Sequence, residues 1–223
     1  MASHLDLEEQ EQIDELKHFW KRWGDWITWA SIAVLGSYAA WMGWQSWSVK
    51  QATQSAALYD TVERAALSAD MALLDRSVAD IEDKFARTSY AQQAALLAAR
   101  IYQEKARPAD ARKHLTWVID TSHDAGYQAL ARLRLSALQI EDKAFDAARQ
   151  QLAAKVPAAF APLVADRLGD IDMIEKKTAD AIGHYQQAWK GFDANAEYRR
   201  LVAVKLAALG ADPEEPAAKE TSK

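Results

Sequence analysis

The chain has 223 residues, half of them apolar, with eight glycines, five prolines and no cysteine. The absence of cysteine excludes disulfides, thiolate metal sites and cysteine nucleophiles. Alanine, the strongest helix former, is abundant, while glycine and proline are scarce, so the composition predicts an all-α fold. The formal net charge of −5 lies mostly in the first 47 residues. The rest is nearly neutral and lacks the basic surface that nucleic-acid binding requires.

An acidic N-terminal tail, residues 1–24, leads into a stretch without charge that runs from Trp26 to Val49. A helix needs about 20 residues to cross the hydrocarbon core of a membrane, so we predict a transmembrane helix over residues 25–48. Tryptophans flank its apolar centre on both sides, as in the aromatic belts of spanning helices: Trp20, Trp23, Trp26, Trp29, Trp41, Trp44 and Trp47. The alternatives are a tryptophan-rich helix that is buried or lies on a surface, and a cleaved signal peptide. The long uncharged run and the acidic leading segment disfavour the signal peptide.

The charges that flank this segment predict its orientation. Lys17, Lys21 and Arg22 precede it, whereas Lys50 and the more distant Arg64 follow it. Because basic flanks favour the cytoplasmic side of a membrane, the N-terminal tail is predicted to be cytoplasmic and the rest of the chain to lie on the opposite side.

Four small residues, Ala33, Gly36, Ala40 and Gly43, recur on one face of the predicted transmembrane helix. Small side chains let another backbone approach closely. This helix-packing face is therefore a candidate dock for a partner's transmembrane helix; the alternative is ordinary small-residue content that faces lipid.

Three helix–turn–helix segments follow, Tyr90–Asp120, Tyr127–Ala154 and Phe160–Lys190. Each has a small residue in its first helix, another small residue twelve positions later and a bulky residue four positions after that: Ala99, Ala111 and Leu115; Ser136, Ala148 and Leu152; Gly169, Ala181 and Tyr185. The segments repeat after 37 and 33 residues, close to the spacing of a tetratricopeptide (TPR) unit. The pattern predicts a TPR-like α-solenoid, with a generic bundle of helical hairpins as the alternative.

Both flanks of these repeats are also predicted to be helical. Ser48–Ser68 and Asp70–Arg87 form a divergent first repeat, and Glu197–Leu209 forms a capping helix that ends at Gly210. No linker interrupts this sequence, which predicts a single domain.

The TPR-like domain is therefore predicted to cover residues 49–210. Residues 211–223 combine prolines with small and charged residues, which predicts a disordered C-terminal tail.

The sequence contains no nucleophile elbow, phosphate-binding loop or dinucleotide fingerprint. Its five histidines form no pair suited to a metal and are predicted to be solvated or at edges: His4, His18, His114, His123 and His184. Acidic residues gather on one predicted helix: Asp166, Asp170, Asp172 and Glu175. A solvated face or a groove for basic peptides is favoured there over a divalent-cation site. We expect no catalysis, no cofactor and no metal.

Four segments carry a family resemblance: Lys17–Trp20, Ala91–Arg100, Leu133–Ser136 and Val164–Asp170. With the acidic tail, the small-residue anchor and the alanine-rich repeats, they resemble the YfgM family, the ancillary subunit of the bacterial SecYEG translocon. The resemblance implies a single-pass inner-membrane protein with a cytoplasmic N-terminus and a periplasmic repeat domain. It also implies as partners the SecYEG translocon, a PpiD-type membrane-anchored periplasmic foldase, exported unfolded proteins and the lipid bilayer.

The function that these features favour is a tethered scaffold or chaperone for newly exported proteins. The candidates for its protein-binding groove come from the first helix of each repeat: Gln93, Leu96, Arg100, Leu133, Ala137, Leu163, Asp166 and Asp170. One alternative is an inner-membrane adaptor for another envelope assembly, such as wall synthesis or division. Another places the function in the cytoplasm, where acidic residues 5–15 would hold a basic regulator.

Overall fold

The computed structural model describes residues 7–213, and the regular structure within that range is helical. The all-α prediction is confirmed for this part of the chain. The predicted tail from residue 214 onward and the first two residues of the acidic segment 5–15 lie outside the described residues. The helices are α1 (Leu7–Ser68), α2 (Met71–Phe85), α3 (Ser89–Glu104), α4 (Pro108–Thr121), α5 (Ala125–Glu141), α6 (Phe145–Leu152), α7 (Ala161–Ile174), α8 (Thr178–Gly191) and α9 (Glu197–Ala208), with a 3₁₀ turn at Ala158–Phe160.

The chain divides into two compact units, residues 1–53 and 54–223. The prediction of a transmembrane helix over residues 25–48 is not confirmed. Among the described helices, none combines the length and the apolar character needed to cross a membrane. Tryptophan, serine and glycine are interspersed with the aliphatic residues of this stretch. The stretch is exposed along its length in the first unit.

In the second unit, the end of α1 and helices α2 to α8 form a series of hairpins with a common turn. Each turn holds one non-glycine residue in the left-handed conformation, at φ between 55° and 63°: Ala69, Ala106, Lys143 and Lys176. The next residue donates its N–H to a carbonyl five positions back, as Arg107 does to Tyr102 at 2.8 Å. This bond satisfies a carbonyl that the helix end leaves free. Because the first turn follows the same pattern, α1 and α2 belong to the repeat series.

The packed positions that the sequence pattern predicts are all buried. The small residues of the second helices, Ala111, Ala148 and Ala181, are fully buried, and the bulky residues after them are at most 4% exposed. The close approach is tightest at Gly169, where a Cβ atom would lie 2.6 Å from the ring of Tyr185. Two helices can cross this closely only where one of them lacks a side chain.

Helix α9 closes the series, as the sequence predicts for a capping helix. Val202 and Leu206 are fully buried against the last hairpin. Gly210, with φ of 68°, follows the helix in the left-handed conformation that favours glycine. The opposite side of α9 is exposed at Leu201 and Val204.

We predict opposite effects for two glycine-to-alanine substitutions. Gly169→Ala should lower the free energy of unfolding by about 1–3 kcal/mol, because the added methyl group overlaps the Tyr185 ring. Gly183→Ala is the matched control on α8: no described atom lies within 4 Å of the added Cβ. The free energy of unfolding of that variant should rise by about 0.5–1 kcal/mol, because alanine has a higher helix propensity than glycine. Urea denaturation followed by circular dichroism measures both, and equal stabilities would contradict this description of the crossing.

Candidate protein-binding surface

The first helices of the three complete repeats, α3, α5 and α7, share a partly exposed face. Its residues follow helical spacing and superimpose when the repeats are aligned at offsets of 37 and 33 residues. We call it the first-helix face. It consists of Tyr90, Gln93, Leu97, Arg100 and Glu104 on α3; Tyr127, Leu130, Arg134, Ala137 and Glu141 on α5; and Leu163, Arg167, Asp170 and Ile174 on α7.

Polar contacts hold α3 and α5 side by side along this face. The amide of Gln93 donates to the hydroxyl of Tyr127 at 2.8 Å. The guanidinium of Arg134 donates to the carbonyl of Leu96 at 2.8 Å. These bonds fix the relative position of the exposed side chains, so the face is preorganised before any partner arrives.

The predicted groove residues fall into two groups. Five of them lie on the first-helix face: Gln93, Arg100, Ala137, Leu163 and Asp170. The other three, Leu96, Leu133 and Asp166, precede that face by one helical position and are 5%, 8% and 1% exposed. They pack against neighbouring helices instead of facing solvent. That the exposed group binds a partner remains a prediction.

The prediction missed the other residues of this face: Tyr90, Leu97, Glu104, Tyr127, Leu130, Arg134, Glu141, Arg167 and Ile174. Leu96 and Leu97 are adjacent leucines of equal hydrophobicity, so composition could not separate the buried one from the exposed one. The repeat offset was an available signal, because position 97 aligns with Arg134 and then with Arg167. A position that is charged in two repeats is seldom a core position.

The prediction of a solvated face is wrong for Asp166, which is 1% exposed, whereas a groove for basic peptides at Asp170 stays a prediction. Asp166 accepts hydrogen bonds from the Tyr198 hydroxyl at 2.8 Å and from Nζ of Lys205 at 2.7 Å. Asp170 accepts from Lys205 at 2.6 Å and from the Tyr185 hydroxyl at 2.8 Å. Burial and the hydrogen bond to Asp166 raise the pKa of Tyr198 to about 12. These carboxylates therefore join α9 to α7, and Lys205 together with Arg167 balances their charge.

Asp172 belongs to a second internal network. Its carboxylate, 2% exposed, lies 2.6 Å from the guanidinium of Arg149 and 2.6 Å from Nδ1 of His184. Arg149 also bonds Glu175 at 2.7 Å. The hydrogen bond to Asp172 raises the pKa of Arg149 although partial burial opposes it. Among the described residues no cluster of histidine and carboxylate side chains has the arrangement of a metal site.

The prediction of a solvated or edge histidine is wrong for His114. It is 5% exposed, its Nδ1 lies 2.6 Å from a carboxylate oxygen of Glu82, and its ring stacks on Tyr102 at a centroid distance of 5.3 Å. Tyr102 in turn donates to Asp75 at 2.7 Å. Burial disfavours the charge of Asp75, but the hydrogen bonds from Tyr102 and Arg107 outweigh it and lower the pKa. This network joins α2, α3 and α4 and serves packing.

In the first unit, the four small residues of the predicted helix-packing face are exposed. At Gly36 and Gly43 no described atom lies within 4 Å of an added Cβ. Larger side chains would fit there within the chain itself. Their docking role is not tested and remains a prediction.

The helical repeats correspond to a known family. A family model described as a tetratricopeptide repeat-like domain matches residues 17–211. The chain belongs to this tetratricopeptide repeat-like family. The TPR-like α-solenoid that the repeat spacing predicts is thereby confirmed.

Comparison with curated proteins identifies a relative in the family from Neisseria gonorrhoeae, an "Ancillary SecYEG translocon subunit". The two are 32% identical over 210 residues, which cover 94% of this chain and 100% of the relative. The resemblance to the ancillary-subunit family is therefore confirmed. No solved structure matches the chain.

We predict that the contact between α9 and α7 depends on Lys205. Lys205→Met keeps the length of the side chain but removes the cation from Asp166, which is 1% exposed. Because an uncompensated buried carboxylate is costly, we expect a loss of about 3 kcal/mol in unfolding free energy. The control is Lys190→Met, the same change at an exposed lysine of α8. Urea denaturation that gives the two variants equal stability would contradict the assignment.

Proposed function

We propose that this chain is a non-catalytic protein that associates with the SecYEG translocon and acts as a scaffold or chaperone for newly exported proteins. The observation that carries the proposal is the similarity to the ancillary SecYEG translocon subunit, which extends over the whole of that relative. Similarity of this extent includes both the repeat helices and the N-terminal unit. The proposal therefore concerns the complete chain, not the repeat fold alone.

The N-terminal unit is proposed to attach the protein to the membrane through residues 25–48. Support comes from the absence of charge between Trp26 and Val49, from the exposure of the large apolar side chains there, and from the tryptophans at both ends. Trp26 and Trp44 are about 27 Å apart along a helix, which matches the two interfaces of a bilayer. The single-pass topology that the flanking charges favour, with a cytoplasmic tail at 1–24 and a periplasmic domain at 49–210, is part of this proposal.

The repeat domain is proposed to bind exported chains at the first-helix face. Tethering the domain near the channel raises its effective concentration around emerging segments, so weak contacts suffice. The face combines tyrosine and leucine side chains with charged ones, which suits transient binding of unfolded segments. A PpiD-type membrane-anchored foldase is proposed as a further partner on the same side of the membrane.

Membrane attachment can be tested by cysteine labelling, because the chain has no cysteine of its own. We expect a cysteine introduced at Ser3 to be labelled by an impermeant maleimide only after spheroplasts are lysed. A cysteine introduced at exposed Lys143, in the turn before α6, should be labelled in intact spheroplasts. Labelling of both positions only after lysis would contradict the proposed topology, and recovery of the protein in the soluble fraction would contradict attachment.

Association with the translocon can be tested by mild-detergent solubilisation and identification of the co-purifying proteins. We expect SecYEG subunits with the native chain, and their loss when Gly36 and Gly43 are both changed to leucine. An added Cβ meets no described atom at either position, so we expect the loss to come from a contact with a partner. The control is Ser31→Leu, an exposed position on roughly the opposite side of the same helix.

Two outcomes would overturn these expectations. Recovery of wall-synthesis or division proteins in place of SecYEG would contradict the translocon proposal and favour the adaptor function. Loss of SecYEG with Ser31→Leu as well would show that the small-residue face has no special role in docking.

A further inference from the structure

The first-helix face carries as many carboxylates as arginines, but Arg134 differs from the other two arginines in its surroundings. The guanidinium of Arg134, half-buried between α3 and α5, makes its hydrogen bond to the carbonyl of Leu96. Among the side chains that the structure describes, no carboxylate lies within 4.0 Å of Arg134. A partly desolvated guanidinium is normally paired with an acid. The charge and the remaining N–H donors of Arg134 are therefore available to bind an anion.

Neighbouring arginines extend this positive character. Arg100 lies one helical turn after Leu96 on α3, the residue whose carbonyl Arg134 binds. Burial and the charge of Arg100 together lower the pKa of Arg134. Arg100 has one weak acidic contact, with Glu104 at 3.4 Å, and both side chains are more than half exposed. An exposed pair of this kind contributes little and separates easily.

Arg167 occupies the equivalent position one repeat later. Its Nε atom is buried and, among the described residues, has no hydrogen-bond partner, while its contact with Asp170 is long at 3.4 Å. Lys205 contacts both Asp166 and Asp170, so Lys205 and Arg167 together balance these two carboxylates. The arginine without an acidic partner among the described residues of this face is therefore Arg134, not Arg167.

We infer that the first-helix face around Arg100 and Arg134 binds a carboxylate-bearing segment of a partner polypeptide. The inference deepens the proposed function, and it rests on that proposal only in taking this face as the surface that meets a partner. Arginine suits the task because its planar guanidinium can hold a carboxylate through two parallel hydrogen bonds. The leucines and tyrosines beside the arginines contact the apolar part of the same extended segment. The bound segment is thus acidic.

The test uses the full chain in detergent and a rhodamine-labelled peptide of alternating glutamate and serine, with binding measured by fluorescence anisotropy. Arg100→Gln and Arg134→Gln should each weaken binding about tenfold, the effect of losing a charge-assisted hydrogen bond. Arg200→Gln, which removes an exposed arginine of α9, is the matched control and should leave binding unchanged. If Arg134→Gln fails to fold, Arg100→Gln still decides the question, because its side chain is 60% exposed.

A gain-of-binding variant adds a sharper criterion. Glu104→Gln removes the internal competitor for Arg100, so the glutamate peptide should bind about two- to fivefold more tightly. Equal weakening by Arg100→Gln and Arg200→Gln would overturn the inference, since it would reflect net charge alone. Tighter binding of a lysine–serine peptide than of the glutamate peptide would overturn it as well.

The result also separates this inference from the proposed function. Co-purification of SecYEG without binding of the glutamate peptide would overturn the inference and leave the translocon proposal standing. Arginine-dependent peptide binding without SecYEG would support the inference and contradict the translocon proposal.

Discussion

The close crossing of two helices within each hairpin is the constraint on which the repeat domain depends. At that crossing one helix presents Ala99, Ser136 or Gly169, and the other contributes a fully buried alanine. The bulky residue one turn later fills the groove beside the contact. No single hairpin buries its remaining apolar side, so the hairpins must stack, and the first helices come to lie next to one another. The exposed face that they share is a consequence of this stacking.

Salt bridges also connect helices of successive repeats. Arg149 of α6 bonds Asp172 of α7, and Lys205 of α9 bonds Asp166 and Asp170 of α7. Each carboxylate that stacking buries thus meets a cation from an adjacent element. Arg100 and Arg134 differ, because among the described residues Arg100 has only a weak acidic contact and Arg134 has none. This difference distinguishes a surface that stabilises the fold from one suited to a partner.

The fold could be predicted further from sequence than the site. Residues such as Ala111, Leu115 and Ala148 recur at fixed spacing. Because equivalent positions make equivalent contacts in each repeat, this spacing indicates which residues are packed. Charges are harder to place, since the partner of Asp166 lies 39 residues away on a helix outside the repeat pattern. Nothing local shows that Lys205 will neutralise it. For the same reason the sequence does not reveal that Arg134 has no acidic partner among the residues that the structure describes.

The left-handed turn residues of the hairpins have a consequence for the domain as a folding unit. A non-glycine residue in that conformation costs about 1–2 kcal/mol, and the described hairpins contain such residues at Ala69, Ala106, Lys143 and Lys176. Their combined cost is comparable to the net stability of a small domain. Packing of neighbouring hairpins against the flanking helices helps to offset this cost. A single hairpin excised from the array would lose that packing and keep the cost of its own turn, so we expect a stable fragment to contain consecutive repeats.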